Sequence, residues 1–570
     1  MDTGLPAEGF FRHKGLILAA AGGAVAEGGL LTLVAPTARS VAPQVTAIPS
    51  LAAYHDLRWL FTDGQSWPWF VALVVLVLAA RTALDVLLLR LAWPHGGRPA
   101  PALHRAALSC AALTLVAWLM LTPAATLAFG VAVLPFSWPF LAAIPIMLGM
   151  VAALSHGGVL GAWWRRLPPL RAVLWLLGSF AAATIAAAVI SHGPAVAGLA
   201  VAAVAGVVNA RAWYGLALLA ARVQPRVHGS VPAKVVFNVP FAPLAALVVL
   251  VAVAGVARLL FTGAIQLPIS PQPSQTLEAA LAAGSGGARA SAPPGDLPAL
   301  TTSAVLVVGG WGSSCCDAAN GLRAVLPGVP VRQFSYIGLD AKGQPIPSGA
   351  AADDQPLPQL GDRIAAQVRA LHAATGRPVA VVAESEGTLG LYAMLDRDHG
   401  LPISAVVLLS PIISPGQLSY PPSADGSSVS EDALNELNQL VGSISPYGPG
   451  GAKALLASVS QVGAKYFDNM VSGLATSAGS GGKPVRWLAV IPLADAVTLP
   501  DCGLPSGVIV VPAFHGGLLG DSAVLPMVST FLSGRQVTAG GSGMRQVAEL
   551  ITGASTAWRM PDTTNACPFS

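Results

Sequence analysis

Charge is what this chain of 570 residues is short of: only 10% of it is Asp, Glu, Lys or Arg, against 54% apolar residues. About a quarter of an ordinary soluble protein is charged, so a wholly soluble globular protein is excluded. The shortage is uneven: long stretches before residue 262 carry almost no charge, while the remainder has the composition of a soluble domain. Cysteine is scarce as well. None of the five cysteines forms a pair two residues apart or has neighbouring histidines, so no metal site is indicated. Gly309-Gly310-Trp311-Gly312 lacks the lysine and spacing of a phosphate loop. Neither a nucleotide cofactor nor a nucleic-acid partner is therefore expected. No broken-helix pattern recurs along the chain, and nothing argues for a transporter on that ground.

What is there, first, is a series of apolar segments: about Gly15–Ala35, Trp69–Leu91, Ala106–Val133, Phe140–Leu154, Ala172–Ile190, Ala195–Ala220 and Pro243–Phe261. Most are near the roughly 20 residues that a bilayer core requires, which predicts about seven membrane helices. The first follows Arg12, His13 and Lys14, as a secretory signal would. Its length, its Glu27 and the spans after it argue for a retained helix. Arg90, Arg98 and Arg105 flank the second loop, Arg165, Arg166 and Arg171 the fourth, and Arg222, Arg226 and Lys234 lie in the sixth. The third and fifth loops have no Lys or Arg, and the first has only Arg39 and Arg58. Positive loops stay inside. The expectation is a multi-pass plasma-membrane protein, its N-terminus cytoplasmic and everything after Phe261 outside. Glu27, Arg81, Asp85, Arg211 and Arg258 lie within spans, where charge is costly and marks function by default. The structural alternative pairs Arg81 with Asp85 on one helix face and lets Arg258 snorkel outward.

The remainder divides into a Pro-, Ser- and Gly-rich linker (263–302), a globular domain (303–535) and a tail (536–570). Strand-like runs at Ala304–Val308, Val331–Tyr336, Val379–Ala383, Ile403–Leu409, Trp487–Ile491 and Gly507–Val511 alternate with helical spacing at Asp317–Leu326, Leu357–Ala374, Thr388–Met394 and Leu518–Leu532. Such alternation predicts a mainly parallel sheet with right-handed crossovers. A Ser-, Gly- and Pro-bounded insertion, about 412–485, is expected to form a cap. Within it Tyr466, Phe467 and Met470 are candidates for an acyl pocket or for the cap's own core. Gly541–Trp558 reads as a final amphipathic helix on the domain or the membrane surface.

The chemistry gathers on three loops. Val379–Ala383 runs into Glu384-Ser385-Glu386-Gly387 and then a helix, which is the strand–turn–helix context of a nucleophile elbow. Ser155, Ser285, Ser477 and Ser480 fit a loosened pentapeptide but lack that context. Asp495 follows the fifth strand and His515 the sixth, so serine, carboxylate and imidazole each sit just after a strand, where parallel sheets place sites. An imidazole between a hydroxyl and a carboxylate can take the serine proton while the carboxylate fixes its tautomer. Asp501 and Asp521 are alternatives to Asp495. The backbone of Gly310 and Trp311, with that of Glu386, is the expected oxyanion cradle. The side chains of Glu384 and Glu386 read as solvated, or as a deterrent to anionic substrates.

The stretches VLVVGGWG, VVAESEGTLG, LLSP, IPLADAVTLP and VVPAFHGGLLGD resemble the α/β-hydrolase superfamily, in particular its serine esterases, lipases and lysophospholipase-like members. That resemblance implies Ser385 as nucleophile, His515 as base and Asp495 as acid, with Trp311 and Glu386 as oxyanion donors and a lipid or other acyl ester as substrate. Gly309 stands where many relatives have His, and Ala383 where they have Gly. Two alternatives stand beside hydrolysis: acyl transfer to an envelope hydroxyl through the same triad, and a transporter- or receptor-like bundle with a noncatalytic hydrolase-fold domain. Cys315, Cys316, Cys502 and Cys567 fall in the part expected outside, where disulfides persist. Cys502 with Cys567 is the favoured pair, and Cys315 and Cys316 are left to bridge each other or pair elsewhere.

Overall fold

A computed structural model describes residues 7–63, 66–94, 99–132, 170–222, 302–313, 315, 319–349, 352–397, 400–413, 454–455, 458, 462, 466–476, 484–494, 504–537 and 542–558. Its N-terminal part is helical: α1 (Lys14–Val34), α2 (Pro49–Asp63), α3 (Trp67–Ala92), α4 (Leu103–Ala132), α5 (Leu170–His192) and α6 (Ala195–Arg222). Four segments among the described residues are long and apolar enough to cross a membrane: Lys14–Val34, Trp67–Ala92, Leu174–Ser191 and Ala195–Ala221. Five of the seven expected spans coincide with helices. Those at Phe140–Leu154 and Pro243–Phe261 lie outside the described residues, as do most of the linker and the expected cap.

The helices turn apolar side chains outward and small residues toward one another. Leu18, Leu33, Val75, Leu76, Ile185 and Val204 are exposed, whereas Ala20, Ala24, Ala202, Ala205, Ala210 and Ala217 are buried between α1, α6 and their neighbours. Small residues let helix backbones approach closely where no hydrophobic force separates protein from solvent.

The segment after α1, expected as a loop, is instead a 3₁₀ run, Pro36–Thr46, followed by α2. It turns its polar side chains inward: His55, Asp56 and Arg58 are all buried. Arg81 was expected to pair with Asp85, and its Nη1 does lie 3.7 Å from that carboxylate. Its principal partner is Asp56, 25 residues earlier, met by Nε at 2.6 Å and Nη2 at 2.7 Å. The fork of a guanidinium matches both carboxylate oxygens at once, and an i,i+4 neighbour on one helix cannot offer that approach here.

The rest is a six-stranded sheet, all parallel, in the order β2-β1-β3-β4-β5-β6. The strands are β1 (Ala304–Val308), β2 (Val331–Gln333), β3 (Val379–Glu384), β4 (Ile403–Leu409), β5 (Arg486–Ala494) and β6 (Ile509–Phe514). β1 and β3 are buried at every position, as runs covered on both faces must be. One face meets Leu360, Ile364, Val368 and Leu371 of helix Leu357–Thr375, and the other meets Leu322, Val524, Val528 and Phe531. Each such fully buried side chain contributes about 1.5–3 kcal/mol. The chain runs from β1 outward to β2, then returns to the other side of β1 for β3 onward. The loops after β1 and β3 therefore diverge at a topological switch point.

Several boundaries move, three of them with consequences. β2 stops at Gln333 because a side chain, Gln367, takes over the backbone of Ser335, accepting from its N–H at 3.0 Å and donating to its carbonyl at 2.7 Å. β6 runs on to Phe514, which leaves His515 as the first residue past the strand. The final helix of the sheet layer begins at Val524, not Leu518, because the Asp521 carboxylate accepts from the amides of Ala523 and Val524 at 2.8 and 3.1 Å. Tyr466, Phe467 and Met470 lie on helix Tyr466–Thr476 and are buried in the core.

The C-terminal helix, Ser542–Ser555, packs on α5 as well as on the sheet. Beyond it, the Ala557 carbonyl accepts from Arg58 Nη1 at 2.9 Å and also from Gln44 Nε2, and the Trp558 carbonyl accepts from Tyr54 Oη at 2.9 Å. The Trp558 indole stacks on Phe180 with centroids 4.5 Å apart and donates to Thr184 Oγ1 at 2.9 Å. The tail is thus seated among the helices of the N-terminal part. Trp558→Ala is expected to destabilise the detergent-solubilised protein by about 3–5 kcal/mol. Thermal unfolding measures it, and an unchanged midpoint would contradict the docked arrangement.

Candidate active site

Ser385 is one of two non-glycine residues with positive φ among those described, at +52°. An L-residue rarely adopts that conformation, and here two close approaches impose it. Gly310 lies so near that an added Cβ would stand 2.8 Å from Ser385 Cβ. A Cβ on Gly387 would come within 2.9 Å of the Gly309 oxygen and of Val308. Strand, turn and the helix Glu386–Arg397 meet where no side chain fits, and the serine is pushed out of the sheet's end. Its Oγ is 2.7 Å from His515 Nε2. Thr388 Oγ1 donates to the Ser385 carbonyl at 2.6 Å and pins the turn from below.

Of the residues expected at the site, the structure brings together Ser385, His515 and Gly310. Trp311 follows Gly310 and packs, half-buried, against the core. Glu386 opens its helix, so its amide is among the first N–H groups that a helix cannot satisfy internally. Asp495 and its alternative Asp501 lie outside the described residues. Asp521, the other alternative, is occupied in starting its helix. His515 makes a further interaction besides that with the serine.

The acids flanking the serine are not solvated, contrary to expectation: Glu384 is 5% exposed and Glu386 1%. Glu384 Oε1 accepts from the amide of Leu518 at 2.8 Å, so the residue before Ser385 holds the loop that carries His515. Burial raises its carboxyl above the ordinary range, while the amides of Leu518 and Leu519 and the His515 ring pull it back. Glu386 faces the other way, beneath the loop after β1. There Asp353, fully buried, accepts from Gly312 N–H at 2.7 Å, and Tyr336 Oη donates to the Gly309 carbonyl at 2.8 Å. Burial pushes Asp353 up to about 8, against the pull of the Gly312 and Ser313 amides. Burial, with Asp353 and Asp354 adding to it, holds Glu386 well above the usual carboxylate range. Sequence reading missed Asp353 and Tyr336. Asp353-Asp354-Gln355-Pro356 looks like the polar lead-in to a helix, and nothing in the residue types shows that one acid turns inward.

Cys315 is disulfide-bonded, and Cys316, Cys502 and Cys567 lie outside the described residues. Compared with known proteins, the chain matches no family model and no curated protein at a significant level, so its function has to be argued from the side chains that meet at the end of β3.

Proposed function

We propose that this chain is a membrane-anchored serine hydrolase of the α/β-hydrolase type, cleaving a carboxylic ester of lipid or envelope origin through an acyl-enzyme. The observation that carries this is the 2.7 Å approach of His515 Nε2 to the Oγ of a serine held at positive φ at the sheet's switch point. In the reaction, Nε2 takes the hydroxyl proton as Oγ attacks the ester carbonyl, then returns it to the leaving alkoxide. Water, activated by the same nitrogen, resolves the acyl-enzyme. Backbone amides of Trp311 and Glu386, with Gly310 giving the loop its close approach, receive the oxyanion, each such donor contributing about 10²–10³-fold. Asp495 is the acid behind His515. Ala494 and Phe514 are register partners in adjacent strands, and Asp495 and His515 are the next residue after each.

Four membrane-crossing candidates and the exposed apolar helix faces support a multi-pass anchor, and the seven apolar runs with alternating loop charges in the sequence favour about seven spans in the plasma membrane. An odd number puts the catalytic domain outside, where the disulfide of Cys315 would persist. Seating of the C-terminal segment among the helices keeps the domain against the bilayer, which favours an amphiphilic substrate. The test is labelling of intact cells with a membrane-impermeant fluorophosphonate. Labelling of the wild type and none of Ser385→Ala is expected. Folded wild-type protein that never reacts, even after solubilisation, would overturn the catalytic assignment, and reaction only after lysis would overturn the sidedness.

A further inference from the structure

The loop Gly309–Ser313 meets Ser385 through bare backbone at Gly310, where an added Cβ would lie 3.4 Å from the serine Oγ. Backbone that must present N–H groups to a developing charge needs a rigid support. Three buried groups supply it from the side away from the serine. Asp353 receives the Gly312 amide, Tyr336 donates to the Gly309 carbonyl, and Glu386 Oε2 lies 3.5 Å from the same tyrosine oxygen. They come from three separate places: the end of the β2 segment, the lead-in to helix Leu357–Thr375, and the first residue past the nucleophile. We propose that Asp353, Glu386 and Tyr336 are positioning residues for the chemistry at Ser385, together holding the Gly309–Ser313 backbone where an oxyanion requires it. This rests on the serine-hydrolase assignment and adds to it a supporting layer that acts through the loop.

The charge state of the cluster follows from its surroundings. Asp353 Oδ1 and Glu386 Oε1 are buried with no hydrogen-bond partner, and among the described residues no Lys or Arg pairs with either acid. The titratable groups near them are Tyr336 and Asp354, whose carboxylate is turned to the amides of Ala454 and Leu455 at 2.8 and 3.2 Å. Burial with no cation to pair disfavours the charged form of both acids. At neutral pH Asp353 is therefore a neutral acid that still accepts the Gly312 N–H through its carbonyl oxygen. As pH rises through about 8, Asp353 loses its proton. A negative charge then forms at the Gly312 N–H of the loop that must stabilise a second one, and the oxyanion is disfavoured.

The experiment measures kcat and KM for p-nitrophenyl butyrate with the full-length protein in detergent, between about pH 6 and 9.5. Wild type is expected to lose kcat on the alkaline side with a midpoint near 8. Asp353→Asn keeps an oxygen for Gly312 N–H but cannot ionise, and should stay active with that alkaline limb gone. Asp353→Ala loses the anchor, and its kcat should fall about 10–100-fold with KM within about twofold. Tyr336→Phe should show a smaller fall of the same kind. An alkaline limb in Asp353→Asn like that of the wild type would overturn the proposal, as would wild-type kcat in Asp353→Ala. Should the alanine variant not accumulate, the asparagine profile decides alone. Failure of the enzyme assignment looks different: the wild type then shows neither turnover nor fluorophosphonate labelling.

Discussion

Ser385→Ala is expected to lower kcat for an activated ester by about 10⁴–10⁶-fold, His515→Ala to do nearly the same, and the double variant to be no worse than either alone. In the proposed mechanism the two side chains perform one act. A serine hydroxyl is a poor nucleophile until its proton has somewhere to go, and at 2.7 Å the imidazole nitrogen is that place. Removing the base strands the nucleophile, and removing the nucleophile leaves the base nothing to activate. The measurement is kcat for the three variants on one substrate. Losses that multiply in the double variant would mean that the residues act independently, and the shared-proton mechanism would fail. Stability should separate from activity at this position. Alanine keeps a Cβ and so keeps the strain of φ +52°, leaving the unfolding midpoint unchanged. Ser385→Gly relieves about 1–2 kcal/mol of it and should give an inactive protein that is more stable than the wild type. A backbone strained where it carries the nucleophile is what a site selected for chemistry would retain.

That strain also explains what could be seen from the sequence. Val379–Ala383 had to be a strand buried on both faces, and a serine between such a strand and a helix had to turn sharply. Composition and context were enough to put Ser385 on a sharp turn, and chain order to put His515 just past a strand, where the two side chains meet. The acids were misread because burial of a carboxylate leaves no mark in a single sequence. Glu384 and Glu386 are spaced like residues beside an open turn, yet one grips the histidine loop and the other lies under the glycine loop. β2 was overextended for a similar reason, since a distant glutamine satisfies Ser335 in place of a neighbouring strand. Five of the seven apolar stretches were legible as helices from apolar length alone. The segment 36–63 was not, because its polar residues face the interior, inverting the pattern by which surface helices are recognised.

Those inward-facing residues set the second large effect, in the helical part. Arg81→Met is expected to destabilise the solubilised protein by about 3–5 kcal/mol, because the partner charges stay behind. Asp56 loses both arms of its fork, at 2.6 and 2.7 Å, and the Val45 carbonyl loses a donor at 2.5 Å. Asp85, already without a hydrogen bond to either oxygen, loses the guanidinium 3.7 Å away. His55 offers only partial relief: its Nδ1 is 3.0 Å from Asp56, but its Nε2 is engaged with Glu27 at 2.7 Å. Replacing Asp56 as well, in Arg81→Met with Asp56→Leu, removes the orphaned charge and should recover more than half of the loss. The pair would then show strong non-additivity, as residues sharing one buried interaction do. Thermal unfolding of wild type, the two single variants and the double variant measures that coupling. A double variant as unstable as the sum of its parts would mean that the guanidinium packs these helices by its bulk, with its charge incidental.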